Sequence, residues 1–320
     1  MNQAESVVLE AFTETEWGTS MTLDKTHPHK GNPHKGEAYT IPMDMKGLVE
    51  LIRPINDVMS AFAVFIAGVI SAGWDMHLTS VAAASIGTFF ASAGGMVIND
   101  YFDFDIDAVN KPQRPIPSGQ ITRKGALYFT GVLFGCALTC ALFTNIWCII
   151  VGIPALFLMV VYSWKLKRRL FVGNVAVALL SGLALLYGGI ATGSIRLVSI
   201  LALIAFIASI SREMVKDIED VEGDKYGGST SVPLTLGVEK TAQIAGIFLL
   251  TAIALSFLPY VYGIFNTWYL AMIMPVNIWM AYLSLAMLLN KVENVSQLQK
   301  MLKVGMYVTL AIFLISRLAL

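Results

Sequence analysis

Nine apolar stretches of about twenty residues occupy the chain from residue 56 onwards, and each is long enough to cross a bilayer as a helix. The predicted spans are 56–73, 79–98, 126–145, 146–162, 171–192, 195–213, 242–262, 268–290 and 302–319. The runs are continuous, whereas the strands of a membrane barrel alternate apolar and polar residues. The sequence therefore predicts an all-α fold, a polytopic membrane helical bundle with nine transmembrane helices around a central lipid-accessible cavity.

The composition agrees with a membrane protein. The 320 residues are 56% hydrophobic and only 14% charged, with a mean hydropathy of +0.67. A soluble domain usually carries about 25% charged residues, so an ordinary soluble protein is excluded. The three cysteines, Cys136, Cys140 and Cys148, lie in or beside apolar spans and are interpreted as buried, inert thiols.

The charges of the loops predict how the chain is oriented. Fourteen lysines and arginines lie around the loops that follow the second, fourth, sixth and eighth spans, whereas the other loops hold only Arg196. Positively charged loops stay in the cytoplasm. We therefore expect the N-terminus and the charged loops to be cytoplasmic and the C-terminus to lie outside.

Residues 1–42 are polar and are predicted to form a mobile cytoplasmic tail before the membrane domain at 43–320. The stretch HPHKGNPHKG, at 27–36, repeats Pro-His-Lys-Gly and holds three of the four histidines. A bound metal ion is one interpretation, but the prolines and glycines provide no rigid ligand geometry, which favours a solvated tail. Residues 43–55 resemble an amphipathic lead-in, and Pro54 is expected near the start of the first span.

The first of two acidic clusters is NDYFDFDID, residues 99–107, directly after the second span. At about 100° per residue, Asn99, Asp103 and Asp107 share one face if the helix continues. The same stripe continues backwards through the small residues Gly87, Ala91 and Gly95. Because small residues allow neighbouring helices to pack closely, we expect the acidic face to point into the bundle.

The second cluster, in REMVKDIEDVEGDKYGG, follows the sixth span, and four of its acids share a helix face: Glu213, Asp217, Asp220 and Asp224. Solvated loop charges are the alternative interpretation, but acids at the ends of membrane helices are costly and usually functional. Converging carboxylates repel each other unless multivalent cations lie between them. Ligands that are almost all oxygens suit Mg²⁺, which is often shared with a substrate phosphate.

Basic and amide side chains near these clusters are candidates for holding a diphosphate. Lys111 and Arg114 lie in the proline-rich loop NKPQRPIPSGQIT, at 110–122, directly after the first cluster. The full candidate set is Arg53, Asn56, Lys111, Arg114, Lys165, Lys167, Lys216 and Lys225. Because metal ions neutralise some phosphate oxygens and Arg or Lys the rest, the residues predict a cavity with Mg²⁺ and diphosphate at its cytoplasmic mouth and a lipid substrate between the helices.

These motifs resemble the UbiA superfamily of intramembrane prenyltransferases, over about residues 45–320. NDYFDFDID matches its NDxxDxxxD motif, and DIEDVEGD matches its second aspartate motif. The resemblance implies a prenyl diphosphate gripped by two Mg²⁺ ions. It implies Asn99 and Asp103 as ligands of one ion and Asp220 and Asp224 as ligands of the other, with Asp107 and Asp217 as second choices.

The resemblance also implies catalytic roles for Asp103, Asp107 and Tyr162. The superfamily has a Tyr-x-x-x-Lys element after its fourth helix, but here Leu166 stands four residues after Tyr162, and Lys165 and Lys167 flank that place. An allylic carbocation forms as diphosphate leaves, and Tyr101, Phe102, Phe104 or Tyr162 are candidates to face it. The general base is a carboxylate of the first motif or the released diphosphate.

The loops around both motifs most resemble the archaeal ether-lipid branch of the superfamily. That branch transfers a geranylgeranyl group from its diphosphate to the free hydroxyl of a lipid phosphate acceptor, geranylgeranylglyceryl phosphate. The expected partners are these two substrates and membrane lipids, with no nucleic acid. A quinone precursor or a chlorophyllide is the alternative acceptor. A membrane cation transporter is a more distant alternative, although its charges are expected nearer the mid-bilayer.

Overall fold

The computed structural model describes residues 44–319 apart from 74–76, 168, 227 and 229, and only the backbone of residue 226. The predicted tail at 1–42, with its histidine repeat, lies outside these residues. Every regular element in the described ranges is helical. The helices are α1 (Met45–Ile52), α2 (Pro54–Ala72), α3 (Leu78–Phe102), α4 (Phe104–Asn110), α5 (Arg123–Ala141), α6 (Ile146–Val161), α7 (Val172–Thr192), α8 (Arg196–Glu219), α9 (Val221–Tyr226), α10 (Val232–Leu236), α11 (Val238–Leu255), α12 (Leu258–Val261), α13 (Thr267–Leu288) and α14 (Val295–Leu318). A π-helical turn, Tyr162–Leu166, extends α6.

Within the described ranges, nine helical segments are long and apolar enough to cross a membrane, which confirms the predicted fold class. They are α2, α3, α5, α6 with its π-turn, α7, α8, α11 with α12, α13 and α14. The predicted division before the fourth span is present, because the Asn145 side chain caps α6 by accepting the Trp147 N–H at 3.0 Å and the Cys148 N–H at 3.2 Å. Pro54 is the first residue of α2, as expected.

Three helix ends lie well beyond the predicted spans. Helix α3 continues to Phe102 rather than 98, α8 continues to Glu219 rather than 213, and α14 begins at Val295 rather than 302. The apolar pattern marks where the hydrocarbon ends, whereas backbone hydrogen bonds continue through polar residues. The extensions place both acidic clusters on, or directly after, rigid spanning helices.

The helices close into a ring around a central cavity. Helix α2 packs on α3 and α7, α7 on α8, α8 on α11 and α14, and α14 returns to α2. Small residues permit some of these approaches. A Cβ added at Gly188 of α7 would lie 2.8 Å from the Gly68 amide nitrogen of α2, and one added at Gly95 would lie 3.4 Å from the Met159 sulfur of α6.

Candidate active site

The first acidic cluster lies where α3 ends and α4 begins. Asp103 ends α3 and starts α4, yet its N–H bonds to the Asn99 carbonyl at 3.0 Å and the Asp107 N–H bonds to the Asp103 carbonyl at 2.8 Å. This hydrogen bonding retains the four-residue spacing across the junction. The predicted face of Asn99, Asp103 and Asp107 is therefore preserved along the backbone.

Lys167 joins the beginning of this cluster to the end of α6. Its ammonium group donates to the Asn99 Oδ1 at 3.3 Å and forms a close ion pair with the Asp103 carboxylate. Asn99 also donates its amide to Asp103 at 3.0 Å. Lys165, in contrast, folds over the Trp164 ring, 5.8 Å from its centroid. Of the two lysines that the sequence left open, Lys167 is the one that contacts the aspartate motif.

The π-helical turn explains how Lys167 reaches this position. Its N–H bonds to the Tyr162 carbonyl at 2.9 Å, which closes an i to i+5 ring. A π-turn accommodates one additional residue without changing the direction of the residues that follow. Lys167 is five residues after Tyr162. Because of the π-turn, it takes the position that the fourth residue after Tyr162 would have in a regular α-helix.

Asp100 forms a separate ion-pair network behind the cluster. It is 3% exposed, and its Oδ1 accepts from Arg53 at 2.6 Å and from Arg114 at 3.1 Å. Arg114 also forms a close ion pair with Asp107. Arg53 has a φ of 49°, in the left-handed region, and separates α1 from α2. This network ties the lead-in helix and the proline-rich loop to the end of α3.

The second cluster is held by polar neighbours on α7 and α8. The Asn174 amide donates to Asp217 at 2.7 Å. Glu213 is buried, forms a close ion pair with Arg212 and lies 3.8 Å from the Lys216 ammonium. Asp217 is therefore held by an amide of α7, and Glu213 by two cations of its own helix.

The two clusters meet around Tyr162. Four carboxylates from both clusters lie close enough to act electrostatically on its hydroxyl: those of Asp103, Glu213, Asp217 and Asp224. Lys167, which pairs with Asp103, also acts on Asp224 beyond the membrane span. Burial raises the pKa of Asp224, and the Lys167 charge partly opposes this effect. Carboxylates at the ends of the second and sixth spans therefore both lie near Tyr162.

A membrane-embedded cavity of about 640 Å³ opens beside this point. Six of the predicted site residues line its wall: Arg53, Asn56, Asn99, Tyr162, Lys167 and Lys216. The remainder of the wall is largely apolar and includes Leu180, Leu201 and Leu249. Lys111, Lys165 and Lys225 are exposed and, in the part of the chain that the structure describes, are not among the lining residues.

The aromatic residues near the first motif have different surroundings. Tyr101 and Phe104 hold the Arg123 guanidinium between them, at 5.1 Å and 4.9 Å from the ring centroids, and Tyr101 packs edge-on against Phe102. Among the four aromatic candidates, Tyr162 is the one whose side chain belongs to the cavity wall.

The donor set fits magnesium shared with a substrate. Asn99, Asp103, Asp217, Asp220 and Asp224 offer oxygen donors, which suit Mg²⁺. Within the described ranges, no three ligating side chains are drawn together tightly enough to hold an ion by themselves. Mg²⁺ usually keeps waters and takes one or two carboxylates plus phosphate oxygens. The residues therefore fit an ion that arrives with a diphosphate.

Comparison with known families decides which family this site belongs to. Residues 60–306 match the model of the UbiA prenyltransferase family. The chain belongs to that family. The resemblance of the chain to the UbiA superfamily is thus confirmed.

Two relatives of this UbiA protein match it over nearly their whole length. It is 38% identical over 277 residues to the digeranylgeranylglyceryl phosphate synthase of Thermococcus kodakarensis, covering 86% of this chain and 99% of the relative. It is 37% identical over 270 residues to the synthase of the same name from Methanothermobacter thermautotrophicus, covering 84% and 95%.

Solved structures agree with the UbiA fold. A structure of digeranylgeranylglyceryl phosphate synthase has a TM-score of 0.75 and 35% identity, covering 86% of this chain and 99% of that one. A UbiA homolog from Archaeoglobus fulgidus, solved with GPP and Mg²⁺, has a TM-score of 0.68 at 16% identity and covers 86% and 100%. The second likeness shows the fold alone.

Several polar residues of the site were not selected from the sequence. Asp100 lies within the first motif, and its spacing of seven from Asp107 places both on one face, where Arg114 reaches them. Asp57 is fully buried and accepts from Ser92, a cavity residue, at 2.6 Å. A lone acid in an apolar span is the signal that identifies Asp57.

Proposed function

We propose that this UbiA family member transfers the geranylgeranyl group of geranylgeranyl diphosphate to the free hydroxyl of geranylgeranylglyceryl phosphate. The product is digeranylgeranylglyceryl phosphate, an archaeal ether lipid. Relatives of that name at 37–38% identity support the choice of substrates. The observation that carries the proposal is the convergence of both acidic clusters on Tyr162 at the wall of a membrane cavity.

The diphosphate is proposed to bind between the two clusters. Asn99 and Asp103 are the proposed ligands of one Mg²⁺ ion, and Asp220 and Asp224 of a second. Asp107 and Asp217 are the second choices, and Asp107 is paired with Arg114. Bound Mg²⁺ supplies positive charge to the diphosphate oxygens as the leaving group forms. The oxygen donors of these side chains support this choice of metal.

The residues of the chain position the reaction and exclude water. Lys167 and Arg53 present donors to the leaving diphosphate, which departs with the electron pair of its bond to C1 of the prenyl group. Tyr162 faces the resulting allylic cation. The acceptor hydroxyl oxygen then bonds to C1, and its proton passes to a first-cluster carboxylate or to the released diphosphate. Apolar walls around Leu180 and Leu201 prevent hydrolysis of the cation.

The orientation of the protein follows from the same arrangement. The nine apolar segments and the family indicate a multi-pass membrane protein. We place the active-site mouth and the N-terminus on the cytoplasmic side and the C-terminus outside, because the lysine- and arginine-rich loops lie at the mouth.

An acceptor screen tests the proposal. Purified protein is supplied with labelled geranylgeranyl diphosphate, Mg²⁺ and either geranylgeranylglyceryl phosphate, a chlorophyllide or an aromatic quinone precursor. The diether phosphate and free diphosphate are expected in equal amounts from the first mixture alone. EDTA is expected to abolish both products, and added Mg²⁺ to restore them. Transfer to a chlorophyllide or an aromatic precursor alone contradicts the acceptor assignment, and Mg²⁺ flux without prenyl substrate supports a transporter.

A further inference from the structure

A second group of cations lines the same cavity on helices α8 and α14. Arg212 of α8 and Lys303 of α14 both belong to the cavity wall, together with Tyr307. The Lys303 ammonium lies 5.9 Å from the centre of the Tyr307 ring, and the Arg212 charge acts on the Tyr307 hydroxyl. Helices α8 and α14 pack against each other. Tyr307 therefore lies near both cations.

The cavity wall carries more positive charge than its own acids neutralise. Its charged residues are Arg53, Lys167, Arg212, Lys216 and Lys303, which are basic, and Glu213, which is acidic. Arg53 pairs with Asp100 and Lys167 with Asp103 behind the wall, and Arg212 shares Glu213 with Lys216. Among the described residues, no carboxylate lies within ion-pair distance of Lys303.

The location of Lys303 is poorly explained by a role in membrane orientation alone. It lies within a membrane-spanning helix and faces the cavity, one turn before Tyr307. Lysines inside spanning segments are costly and usually serve a ligand or an ion path. Lys300 lies one turn earlier on the same spanning helix and is exposed like Lys303, but it is outside the described wall of the cavity. A lysine that only keeps the adjoining loop in the cytoplasm does not need to line the cavity, and the position of Lys300 is sufficient for that role.

We propose that Arg212 and Lys303 bind the phosphate group of the lipid acceptor, at a site distinct from that of the donor diphosphate. Glu213 fixes one side of the Arg212 guanidinium by a close ion pair, which leaves its other N–H donors for a phosphate. Lys303 adds a point charge, and the Tyr307 hydroxyl a further donor. This inference rests on the proposed function, because it assigns the phosphate of that acceptor to these residues.

The placement explains how two anionic substrates share one cavity. Lys167 and Tyr162 face the donor site between the acidic clusters. A separate cation pair on α8 and α14 keeps the acceptor phosphate apart from the donor diphosphate, and the Arg212 charge offsets that of Glu213, the second-cluster carboxylate beside it. The short glycerol unit then leaves the free hydroxyl facing the prenyl C1. A phosphate monoester lipid is therefore favoured over an uncharged acceptor.

Kinetics with two acceptors test the assignment. Lys303→Gln and the control Lys300→Gln are compared with the unmodified protein, using geranylgeranylglyceryl phosphate and the same lipid without its phosphate. Loss of one hydrogen bond to a charged group is expected to raise the KM of Lys303→Gln for the phosphorylated acceptor about 10- to 100-fold. The KM for geranylgeranyl diphosphate and the activity with the dephosphorylated acceptor are expected to stay unchanged. Lys303→Arg is expected to retain most of the affinity, and Lys300→Gln all of it.

Direct binding provides a measurement that needs no turnover. The protein in lipid nanodiscs is titrated with each acceptor, without the prenyl diphosphate. We expect tighter binding of the phosphorylated lipid and loss of that preference in Lys303→Gln. Equal binding of the two lipids by the unmodified protein, or a preference that survives in Lys303→Gln, overturns the phosphate site. Preferential binding without transfer to either lipid contradicts the proposed function while leaving the phosphate site intact.

Discussion

Asp100 and Asp103 stand three positions apart in the first cluster, yet they contact different cations. Asp103 pairs with Lys167 and Asp100 with Arg53, and both of these cations line the cavity wall. Asp100 also pairs with Arg114, which is not among the described lining residues, and so connects three segments of the chain. Asp103 thus serves the proposed substrate site alone, whereas Asp100 both holds a cavity cation and supports the fold.

The two lysines after Tyr162 provide a matched comparison at the residue scale. We expect Lys167→Gln to lower kcat/KM by about 100- to 1,000-fold, because a donor to the leaving diphosphate is lost. Lys165→Gln is expected to stay within about twofold of the unmodified protein, since its ammonium lies over Trp164 at the surface. Release of diphosphate measures both variants. Equal losses in the two would remove Lys167 from the site.

Asp100 is expected to affect stability strongly. Its side chain is 4% exposed, so Asp100→Asn leaves Arg53 and Arg114 without their shared carboxylate. Removing one partner of a buried ion pair costs about 3–5 kcal/mol. The control Glu50→Gln breaks an exposed pair with Lys46 at 3.9 Å and is expected to cost less than about 0.5 kcal/mol. Unfolding in detergent measures both, and a loss in Asp100→Asn no larger than in the control contradicts the role of the network.

At the scale of elements, the π-turn of Tyr162–Leu166 determines which lysine reaches the motif. The turn holds one residue more than a regular α-helix, and the additional residue lets Lys167 rather than Leu166 face Asp103. Trp164, within the turn, is 64% exposed, so its removal is expected to disturb packing little.

A deletion and an insertion in this turn are expected to have opposite results. Deleting Trp164 should convert the π-turn to a regular helix and leave the lysine directed at Asp103, with activity within about tenfold of the unmodified chain. Inserting one alanine after Trp164 should rotate the lysine by about 100° and reduce activity at least as much as Lys167→Gln. Product formation is measured for both variants. A deletion that lowers activity as much as the insertion does contradicts this account of the turn.

At the scale of the whole molecule, the ring of helices joins the two acidic clusters across one cavity. Its wall includes residues of α2, α3, α7, α8, α11, α13 and α14, which are far apart in the chain. The chemistry is expected at one membrane face and the lipid chains within the bundle. Orientation in the membrane therefore determines from which side the diphosphate enters.

Cysteine labelling measures this orientation. Cys136, Cys140 and Cys148 are first replaced by alanine, and a single cysteine is introduced at exposed Ile195 or exposed Glu293. A membrane-impermeant thiol reagent added to intact cells is expected to label the cysteine of Ile195→Cys and to reach that of Glu293→Cys only after the membrane is opened. The reverse pattern contradicts a cytoplasmic active-site mouth.

The sequence by itself determined the fold class, the nine spans found in the described part of the chain and the four-residue spacing of Asn99, Asp103 and Asp107. Hydrophobic length and helical period are local properties, so apolar runs and four-residue spacings can be read without contacts between helices. The sequence predicted the helix ends less accurately, because α3 and α8 continue through polar residues beyond the apolar pattern.

Only the tertiary structure decided which residues of distant segments share a partner. The spacing after Tyr162 left Lys165 and Lys167 equivalent, and the π-turn selected Lys167. Likewise, Lys303 resembled a topological charge until α14 packed on α8 and placed it in the cavity with Arg212. Side-chain direction at a helix irregularity and the meeting of remote helices both depend on packing across the whole bundle, which no local pattern of residues encodes.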